Sequence, residues 1–262
     1  MKYVTFTTEG SLPLCKNLLI SAKNVGLEKD MIVYCLDEKS FNSIKDEFSC
    51  NTKLFDSNEI KGNFHEYGRD DFREVTSSKV KIILKELEEN DSLVYTDCDV
   101  VFAKNPTPSI EHFCKESDDV DIFFASDHPF MDICTGFMYI RNTDGVRCLF
   151  EMYFKFNEHY GLEGNDYMYD QEIINQIIKN QETSVELGFD SSLKWKIYPL
   201  DFVCNGHVYF NEPEDGVTSI TKTGRESVIH CNFCVGIETK IDRFKRENLW
   251  YIKEEVVSEE SN

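Results

Sequence analysis

The first third of this chain alternates β-rich and helical patterns, and that alternation narrows the available folds more than any other feature. Tyr3 to Thr8 is a β-rich run, followed by a turn at Glu9-Gly10-Ser11. Leu14, Leu18, Ala22 and Val25 then recur at helical spacing, and Met31 to Leu36 is a second apolar strand closed by Asp37. A short helix over Phe41 to Phe48 and a third strand at Lys53-Leu54-Phe55 continue the series. Strands separated by helices imply a mostly parallel central sheet flanked by helices. The 262 residues show no internal repeat and no low-complexity linker, so the expectation is a single α/β domain over 1–250 with an acidic tail over 251–262.

Farther along, residues 56–76 are polar and weakly patterned and suggest a long loop. Ser77 or Ser78 is placed to cap a helix carrying Val80, Ile83, Leu84 and Leu87 on one face. Strands are expected at Asp121 to Ala125 and Cys134 to Ile140, and helices over 145–158 and Asp170 to Lys179. The last quarter patterns as β at Val185 to Phe189, Trp195 to Leu200, His207 to Phe210 and Val228 to Asn232.

The central stretch is Leu93-Val94-Tyr95-Thr96-Asp97-Cys98-Asp99-Val100-Val101-Phe102. Taken as one buried strand, it places the carboxylates of Asp97 and Asp99 on the same side, because side chains two apart share a face. Two like charges that close are costly unless a cation or a shared proton offsets them. A hard divalent metal held by carboxylate oxygens is the simplest offset; two aspartates at a strand end can also simply face water. In an open α/β sheet, ligands sit at the carboxyl ends of the strands, where this pair falls.

The formal charge of −20 argues against nucleic acid or an anionic membrane as partner. A protein this acidic needs a metal or a few well-placed lysines to hold a phosphate-bearing ligand. No secretory leader precedes the first strand and no apolar run nears the ~18 residues of a membrane helix, so a cytoplasmic protein without a transmembrane segment is expected. The ten cysteines lie mostly in apolar segments and suit a reduced, buried role. Cys231-Asn232-Phe233-Cys234 has the spacing of half a zinc site, with no second such pair.

Three further segments carry candidate chemistry. Asp170-Gln171-Glu172 opens an apolar helix, where acidic groups also serve simply as caps and dipole partners. His230 ends the strand Val228-Ile229-His230, and a neutral imidazole beside two aspartates would complete a mixed oxygen and nitrogen metal site. Lys240 and Lys245 lie just beyond it, and Lys79 sits on the helix before the aspartate pair; lysines there can meet phosphate as point charges or simply be solvated.

The segments occur in a recognisable order: Tyr-Thr-Asp-Cys-Asp-Val-Val-Phe at mid-chain, then Thr-Gly-Phe-Met-Tyr-Ile-Arg, then Asp-Gln-x-x-x-Asn, then a late His-x-Asn-x-x-x-Gly-x-x-x-Lys. This series, from about Tyr3 to Trp250, resembles the nucleotide-diphospho-sugar transferase family of GT-A-fold, Rossmann-like glycosyltransferases with an Asp-x-Asp motif, nearest to its retaining members. The resemblance implies a metal-dependent enzyme moving a sugar from a nucleoside-diphosphate-sugar, a UDP-sugar foremost, to a glycan or other hydroxyl acceptor. It implies that Asp97, Asp99 and His230 hold Mn²⁺ or Mg²⁺ against the diphosphate, with Lys240 and Lys79 adding positive charge. It also implies that Thr7, Thr8 and Asp37 contact the nucleoside, while Asp170 and Gln171 face the transferred sugar as catalytic residues. Cys98 inside the aspartate motif and Glu172 after Asp-Gln depart from the pattern.

Two other functions fit parts of the sequence. A phosphatase of the haloacid dehalogenase type also carries Asp-x-Asp after an apolar strand, with the first aspartate as nucleophile. It places that motif on its first strand, whereas about ninety residues precede it here. A non-catalytic sugar-nucleotide-binding module of the same fold would carry the same ligand residues.

Overall fold

A computed structural model describes residues 1–55, 70–130, 132–160, 169–180, 185, 188–189, 192–210 and 222–253, the side chains of 70–74 and 157–160 excepted. Four strands open the main sheet: β1 (Tyr3–Thr7), β2 (Met31–Cys35), β3 (Asn51–Leu54) and β4 (Ser92–Thr96). β6 (Ile122–Ser126), β7 (Ile133–Arg141) and β8 (Trp195–Ile197) complete it, in the order β3-β2-β1-β4-β7-β6-β8. β1 pairs in parallel with β2 and β4, and β7 runs antiparallel to both β4 and β6. β5 (Val100–Phe102), β9 (Val203–Cys204) and β10 (Val228–His230) form a second, smaller sheet in the order β5-β10-β9.

The period of two in the strands decides which helices cover the main sheet. Val4, Ile32, Tyr34 and Tyr95 turn to one face and pack with Val80, Ile83 and Leu87 of α3 (Asp70–Leu87). Tyr3, Met31, Val33, Cys35 and Val94 turn to the other and pack with Cys15, Leu18, Leu19 and Ala22 of α1 (Leu12–Asn24). Every residue of β2 is therefore buried, as a central parallel strand covered on both sides must be. α5 (Asp144–Tyr160) and α6 (Asp170–Lys179) add Leu149, Phe150, Tyr153 and the isoleucines 173, 174, 177 and 178 to the α3 face. A third apolar cluster joins Val101, Ile229 and Cys231 of the small sheet region to Phe244 of α8 (Ile237–Arg246).

Several expectations need correction. Leu93 to Phe102 is not one strand: β4 ends at Thr96, Asp97 to Asp99 form a turn, and β5 enters the other sheet against β10. α3 begins at Asp70, so Ser77 and Ser78 lie inside the helix, where the Ser77 hydroxyl meets Tyr153 Oη at 3.1 Å. The expected loop over 56–76 is thus helical from Asp70, while 56–69 lie outside the described residues. His207 to Phe210 belongs to a short helix, α7 (Gly206–Phe210), because Asn205 accepts from Val208 N at 3.0 Å as a cap. Val185 is helical and Gly188 sits in a turn at φ 94°, so neither is in the expected strand; 186 and 187 lie outside the described residues. β8 stops at Ile197. α2 (Glu38–Glu47) is longer than expected, α4 (Thr107–Glu116) was not expected, and α8 was hidden by its strongly charged sequence. Residues 254–262 of the expected tail lie outside the described residues.

Asn17 ties the end of the described chain to the first helix. Wholly buried on α1, it donates from Nδ2 to the Leu249 carbonyl at 2.9 Å and accepts from Tyr251 N at 2.7 Å. Asn17→Ala leaves both backbone groups without partners, which should cost roughly 2 kcal/mol and lower the melting temperature by roughly 4–8 °C. A thermal melt identical to that of the parent protein would show that other contacts hold this segment.

Candidate active site

The aspartate turn sits where the two sheets part. Asp97 N donates to the Gly136 carbonyl of β7 at 2.8 Å, and Cys231 N, just past β10, donates to the Asp99 carbonyl at 2.9 Å. The turn is thereby pinned from both sheets. One Asp97 oxygen, Oδ1, accepts from Tyr95 Oη at 2.7 Å and lies 3.1 Å from Lys79 Nζ. Its other oxygen lies 3.9 Å from His230 Nε2. Asp99 repeats this division: Oδ2 meets Lys240 Nζ at 2.5 Å and Oδ1 lies 3.2 Å from His230 Nε2.

One oxygen of each carboxylate is thus spent on a lysine, and the other faces the imidazole. Ligand atoms of Asp97, Asp99 and His230 all lie within 4.8 Å of one another. Two hard oxygens and an imidazole nitrogen suit Mn²⁺ or Mg²⁺ better than a soft ion. His230 Nδ1 faces Cys134 Sγ at 3.6 Å, which leaves Nε2 for the carboxylate side. Space for the ring comes from Gly136, where an added Cβ would stand 2.2 Å from His230 Cε1. The donor set fits a divalent metal.

Charge pairing keeps the site ionised although it is buried. Burial opposes ionisation of Asp99, but Lys240 and then His230 outweigh it and hold the carboxyl far below its usual range. Burial likewise works against the Lys79 and Lys240 ammonium groups, and the facing aspartates reverse it, raising both. His230 also loses solvation, yet Asp99 raises its pKa well above that of a free imidazole.

Asp170, only 4% exposed, accepts from Thr135 Oγ1 at 2.6 Å and pairs with Lys79 Nζ at 2.7 Å. Its carboxylate does not cap its own helix: Glu172 takes the Tyr169 amide at 3.1 Å instead. Gln171 is half-buried, accepts a long 3.4 Å hydrogen bond from Thr135 N, and lines a cavity of about 750 Å³. That cavity is also lined by Thr8, Lys79, Asp97, Asp99, Asp170, His230 and Lys240. Eight of the ten residues that the family resemblance assigns to the site therefore meet in one place. Thr7 and Asp37 are not among the described lining residues. The Thr7 hydroxyl is spent on the Thr8 carbonyl at 3.1 Å and on Ser11. Asp37 caps α2 through Ser40 N at 2.8 Å and holds Glu9 N at 2.7 Å, so it shapes the loop after β1.

The cavity also holds residues that sequence reasoning missed. Asp127 follows β6, and burial pushes its carboxyl up while the Gln171 side chain opposes that shift. Its position after an apolar strand was the available signal. Phe130 and Phe233 stack at 5.9 Å on the cavity wall, with Phe130 65% exposed and Val235 58% exposed. No pattern in the sequence links the two rings.

The fold matches that of the galactosyltransferase LgtC, solved with donor and acceptor sugar analogs, at a TM-score of 0.58 and 14% identity, covering 97% of this chain and 98% of that one. The architecture is the GT-A glycosyltransferase fold. The sequence profile of the nucleotide-diphospho-sugar transferases matches residues 26–244, and the chain belongs to that family. It is 24% identical to a UDP-galactose:fucoside alpha-3-galactosyltransferase of Dictyostelium discoideum, across 100% of this chain and 44% of that protein. A UDP-D-xylose:L-fucose alpha-1,3-D-xylosyltransferase of Arabidopsis thaliana, MGP4, is 23% identical across 92% of this chain and 67% of its own length. The chain thus spans less than half of the first relative. Fold and family together remove the phosphatase alternative.

Gly136→Ala tests the convergence directly. The methyl group must displace the buried His230 ring, so Mn²⁺ affinity should fall on the order of tenfold to a hundredfold. Calorimetric titration of Mn²⁺ into the variant measures it, and parent-like affinity would show that His230 is not a ligand.

Proposed function

We propose that this domain is a metal-dependent glycosyltransferase that moves a sugar from a UDP-sugar to a hydroxyl of a glycan acceptor, retaining the anomeric configuration. The observation that carries this is the convergence of Asp97, Asp99 and His230 in one cavity with two lysines and Gln171, on a nucleotide-diphospho-sugar transferase fold. Asp97, Asp99 and His230 would hold Mn²⁺ or Mg²⁺, and a divalent ion there supplies Lewis-acid neutralisation of charge on the leaving nucleoside diphosphate. Lys240 and Lys79 lie beside the same carboxylates and add fixed positive charge on the phosphate side. Thr8, after β1, lines the nucleoside end. Thr7 and Asp37 support that end through the loop they hold.

Gln171 and Asp127 both line the cavity and offer an amide and a carboxylate to sugar hydroxyls or to the anomeric centre. Asp170, bound to Lys79 and Thr135, serves the reaction by fixing Lys79 rather than by touching the sugar. A developing oxocarbenium ion would be stabilised by these oriented dipoles and charges. UDP is the nucleotide favoured because the relatives' names specify UDP-galactose and UDP-xylose. The same names specify fucosides or fucose. An exposed wall of Phe130, Phe233 and Val235 suits the methyl group of a 6-deoxyhexose better than a hydroxymethyl group. A fucosyl terminus is therefore the acceptor we assign.

Incubation with UDP-galactose or UDP-xylose, Mn²⁺ and an aryl fucoside should yield a metal-dependent disaccharide that a chelator abolishes. Mn²⁺-supported UDP binding without turnover of any donor would favour the non-catalytic binding module instead.

Gln171→Ala should bind UDP normally, keep its melting temperature and lose turnover, since an interaction made mainly in the transition state appears in kcat rather than donor affinity. Wild-type turnover in this variant would remove Gln171 from the chemistry. The pH dependence has a definite sign. Metal binding needs neutral imidazole, and Asp99 keeps the metal-free His230 protonated above its ordinary pKa. Mn²⁺ affinity should therefore keep rising past neutrality instead of levelling near pH 6.5, and binding should release a proton. Calorimetry in buffers of different ionisation enthalpy, from about pH 6 to about pH 9, reads both effects; a plateau below neutrality would contradict the assigned pairing.

A further inference from the structure

The proposed reaction leaves one nucleophilic pair beside the metal ligands unused. Cys231 is buried directly after His230, and Cys234 is half-buried on the cavity wall. Their sulfurs lie 3.9 Å apart, against about 2.05 Å in a disulfide. All ten cysteines are free thiols. These two are separated by only Asn232 and Phe233, so the connecting loop is short.

This loop is tied to the site on every side. Cys231 N holds the Asp99 carbonyl at 2.9 Å. Asn232 accepts from Gly206 N at 2.6 Å through its side chain and from Arg243 Nη1 at 3.2 Å through its carbonyl. Phe233 takes a positive φ of 56°, a conformation that non-glycine residues seldom adopt. The Cys231 sulfur approaches the carbonyl of Lys240 at 3.9 Å, and the Lys240 side chain holds Asp99. A disulfide here would draw the sulfurs together by nearly half their separation, within a loop whose backbone carries His230 and is hydrogen-bonded to Asp99.

We propose that Cys231 and Cys234 are a redox modification site: their oxidation to a disulfide displaces the Asp99 turn and weakens metal-supported donor binding. The coupling to donor binding rests on the function proposed above. The oxidant is a small-molecule disulfide such as oxidised glutathione. The Cys234 thiolate attacks one sulfur of that disulfide, forming a mixed disulfide and releasing one thiolate, which takes up a proton. The Cys231 thiol then gives up its proton and its sulfur attacks the Cys234 sulfur, releasing the second small thiol. Two protein thiols are oxidised and one disulfide is reduced to two thiols. Cys234 is the entry point because it is the more accessible of the two. A hydrogen bond from Cys231, together with Lys240 and Arg243, also lowers its pKa against the effect of burial. Cys231 needs no access to solvent, since its partner is already beside it.

The test uses the full chain equilibrated in glutathione buffers of increasing oxidised fraction, trapped by alkylation and mapped by peptide mass. The 231–234 disulfide should appear while the deeply buried Cys15, Cys35 and Cys204 remain alkylatable only after unfolding. Hydrogen exchange of peptides spanning 97–103 and 228–236 should rise in the oxidised form, because the Cys231 N–Asp99 O bond is disturbed. Mn²⁺-dependent UDP affinity should fall at least about tenfold and return with dithiothreitol, the loss expected when a metal's supporting contacts are disturbed. In Cys231→Ser, mapping should find Cys234 as the mixed disulfide instead, because the resolving thiol is gone. Two alkylated thiols at 231 and 234 in the most oxidising buffer would overturn the proposal, and so would a disulfide that left exchange at 97–103 unchanged. Failure of the reduced chain to bind UDP with Mn²⁺ would instead count against the donor site, and the mapping and exchange results would still decide the redox site.

Discussion

The pairing of Lys240 with Asp99, and of Lys79 with Asp97 and Asp170, is the interaction on which the site depends. A carboxylate buried without a partner would recover its proton or unfold its surroundings. Each lysine prevents that for the aspartates it touches while leaving one oxygen of Asp97 and of Asp99 uncommitted toward His230. Three aspartates and two lysines leave a single negative charge when His230 is neutral. Protonated His230 cancels it, so the imidazolium is the stand-in cation of the metal-free protein. A divalent ion replacing that proton turns the cluster net positive, which is the sign a diphosphate requires. Metal and donor phosphate thus depend on the same charge balance, and removing either lysine would disturb both.

The backbone makes this balance possible by bringing two sheets to one point. β4 delivers Asp97 at the carboxyl end of a buried strand, and β5 carries the chain into the other sheet immediately after Asp99. β10 returns His230 beside β5, with His230 opposite Val100 in the pairing register. β7 contributes the missing space: a residue larger than Gly136 next to β4 would push the imidazole out. None of these strands needs the metal to hold its place, because their flanking residues sit in three separate apolar clusters. The site is therefore largely preorganised by packing, and the polar groups only have to settle their charges.

Sequence patterns revealed the first five elements because alternating apolar strands and amphipathic helices leave a strong period. The same logic failed at Leu93 to Phe102, where apolar residues on both sides of Asp-Cys-Asp looked continuous. The break there is a change of sheet, and nothing in local composition records which sheet a strand joins. α8 was missed because its sequence is mostly charged, with Phe244 alone fully buried, so its register comes from tertiary contact and not from its pattern. The cluster of Asp97, Asp99 and His230 was legible because metal chemistry would dictate those residue types; Asp127 and the Phe130–Phe233 stack were not, because their proximity comes from loops that lie far apart in sequence. At Asp37 a strand-end aspartate with the look of a ligand contact also caps a helix, a second role that the strand pattern did not signal.

The overall charge of −20 bears on how such a site meets its donor. A nucleoside diphosphate approaching from afar would be repelled by the acidic surface, and near the cavity it would experience Lys79, Lys240 and any ion held there. Screening over a Debye length of about 10 Å at ordinary salt confines that repulsion to the surface layer. Attraction inside the cavity suffers less screening, because its charges are buried and face one another across low-dielectric walls. Salt should consequently help the donor arrive more than it hinders the donor's stay, the reverse of what governs a basic protein binding nucleic acid. Specificity for a phosphate-bearing ligand would then follow from position: phosphate would be favoured where Asp97, Asp99 and His230 could hold an ion beside the two lysines, against a net-acidic background.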